Sequence, residues 1–148
     1  MIKAKFKLAD YEAMINTKVQ AGSKAVLNAY NLAGLEFVKE AREKTKADGG
    51  FGDITGNLRS SIGYIILQNG KQIEENFEAS DAGTIKVEGV IQGIFTAQEI
   101  AQDYSRGLVL ICVAGMDYAA AVESRGYDVI TGSSLNLQTR LKELLKQI

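Results

Sequence analysis

Thr55-Gly56-Asn57-Leu58-Arg59-Ser60-Ser61-Ile62-Gly63-Tyr64 divides the chain into two kinds of pattern. Before it runs one long helical periodicity; after it the apolar residues fall into strand-like runs. Thr55 carries an acceptor oxygen able to cap the amides of Asn57 and Leu58. Gly56 allows the backbone angle that a tight corner needs. Leu58 and Ile62 are four residues apart, so a helical turn places both on one buried face. Asn57, Arg59 and Ser60 then form a polar strip, expected to face outward or toward a partner. In its simplest form the stretch is a capped corner between helix and sheet.

Upstream, Ile2, Ala4, Phe6 and Leu8 alternate with Lys3, Lys5 and Lys7. This predicts a half-buried strand with a lysine face, placed at a sheet edge because lysines discourage edge pairing. Asp10 is the expected N-cap of a helix starting at Tyr11. Tyr11, Ile15, Val19, Gly22, Val26, Tyr30, Ala33, Phe37 and Ala41 then recur every three or four residues. About 35 residues at 1.5 Å each give a rod of roughly 50 Å. A domain of this size is only roughly 40 Å across. The rod must therefore kink, near Gly22-Ser23 or Ala33-Gly34, or project toward a neighbour. Asp48-Gly49-Gly50-Phe51-Gly52-Asp53-Ile54 reads as a mobile surface loop with Phe51 as an anchor or a contact residue.

Downstream, Ile62 to Leu67 predicts a strand ended by the turn Asn69-Gly70. Thr84 to Glu88 alternates like a strand, with Val90 to Phe95 as its partner. Thr96 to Tyr104 reads as a short helix with Thr96 as cap and Glu99 as its box partner. Leu108 to Val113 is apolar on both faces and is expected to be central in the sheet. Met116 to Glu123 makes about two helical turns, closed by Gly126. Tyr127 to Ile130 is a last short strand, and Ser133-Ser134 are the expected caps of a helix with Leu137, Leu141, Leu144, Leu145 and Ile148 as its apolar stripe. The order of elements gives one α+β domain over 1–148, with 72–104 as an acidic insertion-like segment. In 72–104, seven acids stand against Lys86 alone, a net of −6; residues 1–48 hold nine basic and six acidic groups, a net of +3. Opposite poles on one subunit can steer head-to-tail packing of identical copies.

Composition removes several chemistries. The chain has 148 residues, a formal charge of −1 and no histidine or proline. Without histidine the usual general base and commonest metal ligand are missing. Cys112, the one cysteine, has neither a disulfide partner nor the co-ligands of a zinc site, and reads as a small apolar residue. The glycine loop at 48–54 lacks the Gly-Lys-Ser/Thr of a phosphate cradle and misses the calcium-loop spacing. Asp48 with Asp53, or Glu74 with Glu75, could serve a carboxylate hydrolase using a divalent metal, but such pairs are common among 18 acids. No cofactor, metal, membrane span or specific nucleic-acid site is read from the residues, the start does not read as a secretory signal, and the chain is expected not to be an enzyme.

Asp53-Ile54-Thr55-Gly56-Asn57-Leu58-Arg59-Ser60-Ser61-Ile62 behind a long helix, followed later by Tyr118-Ala119-x-x-Val122-Glu123-x-x-Gly126, resembles the small neck proteins of tailed bacteriophages, the head–tail connector or tail-completion family. The sequence departs from that family at Gly49-Gly50-Phe51-Gly52, where prolines are common, and in one extra residue before Gly126. The resemblance implies a long helix packed across an antiparallel sheet of about four strands, a C-terminal helix, and ring assembly with other neck or tail proteins in the virion, without catalysis. It also implies that Leu58, Ile62, Tyr118, Ala119 and Val122 pack the corner on the sheet, with Arg59 paired to Glu123. Phe51, Lys3, Lys5, Lys7, Glu74, Glu75 and Glu78 are the expected interface residues. The rival reading is a small regulatory or ligand-binding α+β module.

Overall fold

The computed structural model of the chain describes residues 7–148. Helix α1 runs unbroken over Leu8–Glu43, 36 residues, or about 54 Å at 1.5 Å per residue. A 3-10 turn at Lys46–Asp48 and the one-turn helix α2 (Asn57–Ser60) lead into strand β1 (Ile62–Gln68). Strand β2 (Lys71–Asn76), helix α3 (Val87–Ala101), strand β3 (Leu108–Ala114), helix α4 (Ala119–Ser124) and helix α5 (Thr131–Lys146) complete the order. The three strands form one antiparallel sheet in the order β2-β1-β3.

The sheet is the middle of three layers. Ile62, Tyr64 and Ile66 point to a core shared with Phe37, Val38 and Ala41 of α1. Ala29 and Ala33 of α1 pack on Leu141, Leu144 and Leu145 of α5, so α1 and α5 cover this face together. Ile65, Leu67, Ile111 and Val113 point the other way, onto Ala97 of α3. With helices on both sides, β1 is buried along nearly its whole length. This arrangement reverses the expectation for β3. The strand is apolar on both faces because both faces are covered, yet it pairs only with β1 among the described residues and is an edge; β1 is the central strand.

Three other expectations change. Thr84–Glu88 and Val90–Phe95 are not paired strands: Val87–Ala101 is one helix, and Thr96, expected as a cap, lies inside it with its Oγ1 donating to the Gly115 carbonyl at 3.3 Å. The reason is the small stripe Gly89, Gly93 and Ala97, buried at every fourth position. A Cβ at Gly89 would lie 2.1 Å from the Asn57 carbonyl oxygen, and Gly115, just past β3, would meet the Gly93 Cα at 2.5 Å. The helix backbone rests directly on the corner and on the end of β3. Tyr127–Ile130 contributes only one bridge, Gly50 to Asp128, so among the described residues the sheet has three strands rather than about four. Ser133 and Ser134 lie within α5, which starts at Thr131.

At the N-terminus the expected strand over 2–8 falls mostly outside the described residues, and Leu8 within it opens α1. Asp10 sits in the first turn of α1 rather than before it. The helix is continuous past Gly22-Ser23 and Ala33-Gly34, and its first part has no sheet beneath it: every residue from Lys7 to Ala21 is exposed, and its first buried residue is Ala29. The hairpin turn at Asn69 (φ 51°) and Gly70 (φ 80°) follows its sequence signature.

Glycine substitutions separate close packing from open surface. Gly89→Ala should cost about 1–3 kcal/mol, an overpacking penalty against fixed backbone. Gly22→Ala meets nothing within 4 Å and should gain about 0.5–1 kcal/mol through helix propensity. Urea denaturation of both variants checks the pair; equal effects would mean that α3 does not rest on Asn57.

Candidate functional site

The corner is built from α2 outward. Gly56 takes φ 81°, and a Cβ there would sit 2.4 Å from the Ala82 carbonyl oxygen. Thr55 Oγ1 accepts the Asn57 amide at 3.3 Å, the expected cap in part. The stronger acceptor is Asp53, which takes the Gly56 amide on Oδ1 at 3.0 Å and the Arg59 amide on Oδ2 at 2.7 Å. Asp53 is readable in the sequence as an acid near a turn, but its role depends on the loop folding back.

The polar strip faces inward, against expectation. Asn57 is buried; its Oδ1 accepts the Gly89 amide at 3.1 Å and so satisfies one of the orphan donors at the start of α3. Ser60 is fully buried: its Oγ donates to the Gly56 carbonyl at 2.6 Å and accepts the Ser80 amide at 2.8 Å. Ser61, buried beside it, accepts the Gly115 amide on its carbonyl at 3.1 Å and the Met116 amide on Oγ at 3.3 Å. Asn57, Ser60 and Ser61 thereby tie α3, the 80–82 loop and the end of β3 to one point.

Arg59 provides the tie to α1. Its Nε donates to the Arg42 carbonyl at 3.1 Å, and its Nη2 donates to the Lys44 and Phe51 carbonyls at 2.8 and 3.0 Å. The guanidinium thus caps the carbonyl end of the long helix, where a cation also suits the helix dipole. It lies 4.6 Å from the centre of the Phe51 ring. Phe51 is 1% exposed, so of the two roles its sequence left open it fills that of anchor.

The expected pair between Arg59 and Glu123 does not form. Glu123 turns instead to the start of α5, where Oε1 accepts the amides of Val129, Ile130 and Thr131 at 3.2, 2.8 and 2.9 Å, and Oε2 accepts the Thr131 hydroxyl at 2.7 Å. Burial alone would raise its pKa, but these donors hold the carboxyl below the usual glutamate range. Asp128 is likewise lowered against its own burial, by Lys44, which donates to Oδ2, and by the Gly132 amide at 3.0 Å on Oδ1. Leu58, Ile62 and Ala119 share one core, and Val122 packs against it, while Tyr118 stays 42% exposed. Gly126 closes α4 at φ 91°.

Of the expected interface residues, Glu74 and Glu75 are exposed, as are Glu78 and Lys7; Lys3 and Lys5 lie outside the described residues. Asp48 caps the 3-10 turn through Thr45, whose hydroxyl donates to it at 2.6 Å, and Asp53 caps the corner. Among the described residues no group of three Cys, Asp or Glu side chains could hold a metal ion, and no helix is long and apolar enough to cross a membrane. Burial pushes the Cys112 thiol up to about 12.

Two apolar features have no cover among the described residues. One is the exposed part of α1, where Leu8, Tyr11, Ile15 and Val19 continue the stripe that farther on buries Ala33, Phe37 and Ala41. The other is the outer face of α3, with Val87, Ile91 and Phe95 at 66%, 62% and 53% exposure. A cleft of about 570 Å³ lies at the root of the free helix, lined by Val19, Gly22, Val26, Leu27, Ile73 and Leu108 among others. The sequence allows a helix end that projects toward a neighbour and a 72–104 segment that meets one, but it does not mark these stripes as exposed, because a periodic apolar face reads as core until the fold shows what lies opposite.

Arg59→Lys should lose about 1.5–3 kcal/mol, the scale of hydrogen bonds to a charged group, since an ammonium cannot span three carbonyls. Thermal unfolding reads this; a variant with wild-type Tm would remove Arg59 as the tie. Because the folded pKa of Glu123 is lowered, its contribution is present above the ordinary value of about 4.3 and fades as pH falls through the folded value. Glu123→Gln should therefore be less stable than wild type at pH 7, with the gap narrowing in urea titrations as the pH falls below the ordinary glutamate range. No protein-family model matches the chain, and no curated protein or solved structure matches it either.

Proposed function

We propose that the chain is a structural subunit of a multi-copy assembly, a ring-forming component of the head–tail junction or tail-completion apparatus of a tailed bacteriophage. It works by shape and contact, without catalysis, alongside other neck or tail proteins in the virion. The observation that carries this reading is the free end of α1. A helix of 36 residues extends past its own sheet with an apolar stripe along it, a surface that a lone globular subunit has reason to cover. The corner supports the same view, because its polar side chains are engaged in holding elements together rather than arranged around a substrate. The order of the Thr55–Ile62 and Tyr118–Gly126 segments, with a long helix before and a C-terminal helix after, adds the phage-specific part of the proposal.

A subunit of this kind needs a rigid frame and a surface that finds its neighbours. The three-layer core supplies the frame; the extended helix supplies an apolar surface and the 72–104 segment an acidic one. Sedimentation velocity over a wide concentration range, with negative-stain imaging of the heavy fraction, tests the reading. Closed rings of uniform size are expected. A monomer at every concentration, stabilised by a small apolar ligand in the cleft at the root of α1, would replace it with the ligand-binding module.

A further inference from the structure

We infer that the free end of α1 docks on the outer face of α3 of a second copy of this chain, in a head-to-tail contact. This deepens the proposed ring by naming its two surfaces, and rests on that reading. On α1, Tyr11, Ile15 and Val19 form a ridge at positions i, i+4 and i+8, exposed between 47% and 60%. On α3, Val87, Ile91 and Phe95 form a ridge of the same spacing and similar exposure. Two helices whose four-residue ridges interdigitate cross at about −50°, the commonest packing in globular proteins. Neither ridge meets its complement within the chain, because α1 lies on one face of the sheet and α3 on the other. The match can be made only between copies.

Charge favours this pairing over contacts between like surfaces. Around the α1 ridge, Lys7, Lys18 and Lys24 outnumber Asp10 and Glu12; around the α3 ridge, Asp81, Glu88, Glu99 and Asp103 outnumber Lys86. The α1 side carries a net of +1 and the α3 side a net of −3, so the α1–α3 contact is the attractive pairing and α3 against α3 the most strongly repelled. Since the two surfaces differ, each copy keeps one free after the first contact, which is how a heterologous interface propagates and closes into a ring.

Two variants test the contact, one with Ile15→Asp and Val19→Asp, the other with Ile91→Asp and Phe95→Asp. All four residues are exposed, and circular dichroism confirms that each variant folds. Each alone should stay monomeric, while their mixture should form a 1:1 dimer and nothing larger, because only one intact pair of surfaces remains. As a second measurement, Ile15→Cys and Ile91→Cys copies in a Cys112→Ala background should cross-link in the mixture under mild oxidation. Self-assembly of the α3 variant to wild-type size would overturn the contact while leaving rings of the wild type standing. So would a disulfide joining two copies of the Ile15→Cys variant in place of the mixed product. A wild type that neither assembles nor cross-links would overturn both.

Discussion

The carbonyls at the end of α1 must find donors, and the way they find them organises the molecule. Arg59 reaches the carbonyls of Arg42 and Lys44 with the same guanidinium that holds the Phe51 carbonyl. One side chain therefore ends the long helix, folds the following loop back and sets where β1 begins. The neighbouring polar residues extend this logic. Asn57 satisfies an amide of α3, Ser60 one of the 80–82 loop, and Ser61 those that follow β3. Each bond replaces a water partner lost on burial, so the net contribution of any one is modest. Leaving one unmade is costly, and that asymmetry gives the corner a single arrangement.

Against this frame the helix layers divide their tasks. The second half of α1 closes one face of the sheet with α5 packed along it, and Arg140 and Glu36 are forked across the two helices at 2.8 and 3.2 Å. Exposed pairs of this kind add little to stability and mainly fix orientation. On the other face α3 lies so close that glycine and alanine are the residues it presents. Close approach turns its larger side chains outward, and this is why Val87, Ile91 and Phe95 are in solvent. The uncovered apolar surface on α3 is a consequence of its own packing. That on α1 follows from length: about 54 Å of helix lies on strands of seven residues at most, each about 23 Å long.

Legibility varies with how local the cause is. The corner at Thr55–Ile62, the Asn69-Gly70 turn, the Gly126 stop and the leucine stripe of α5 depend on neighbours in sequence, and their signals are plain. The length of α1 is readable from its period, including the excess over the domain. The 84–95 stretch misleads because Thr84 to Glu88 alternates locally, while the decisive feature is a small residue every fourth position, which matters only once a sheet lies beneath it. Asp53, Asn57 and Glu123 are visible as polar residues near turns, but their partners lie in loops or helices brought up by the fold. The pairing of Arg59 with Glu123 fails for the same reason: both side chains are in demand for backbone groups, a carbonyl end and an amide end.

By itself the amino-acid sequence determined the α+β class, the long helix, the place of the corner and the absence of histidine chemistry. These follow from backbone preferences and residue chemistry that act over a few positions. Only the tertiary structure decided that, among the described residues, β1 is central and β3 an edge, that the polar corner faces inward, and that two apolar ridges lie exposed. Burial and pairing are properties of what lies across a gap in space, and no short-range pattern carries the far side of that gap.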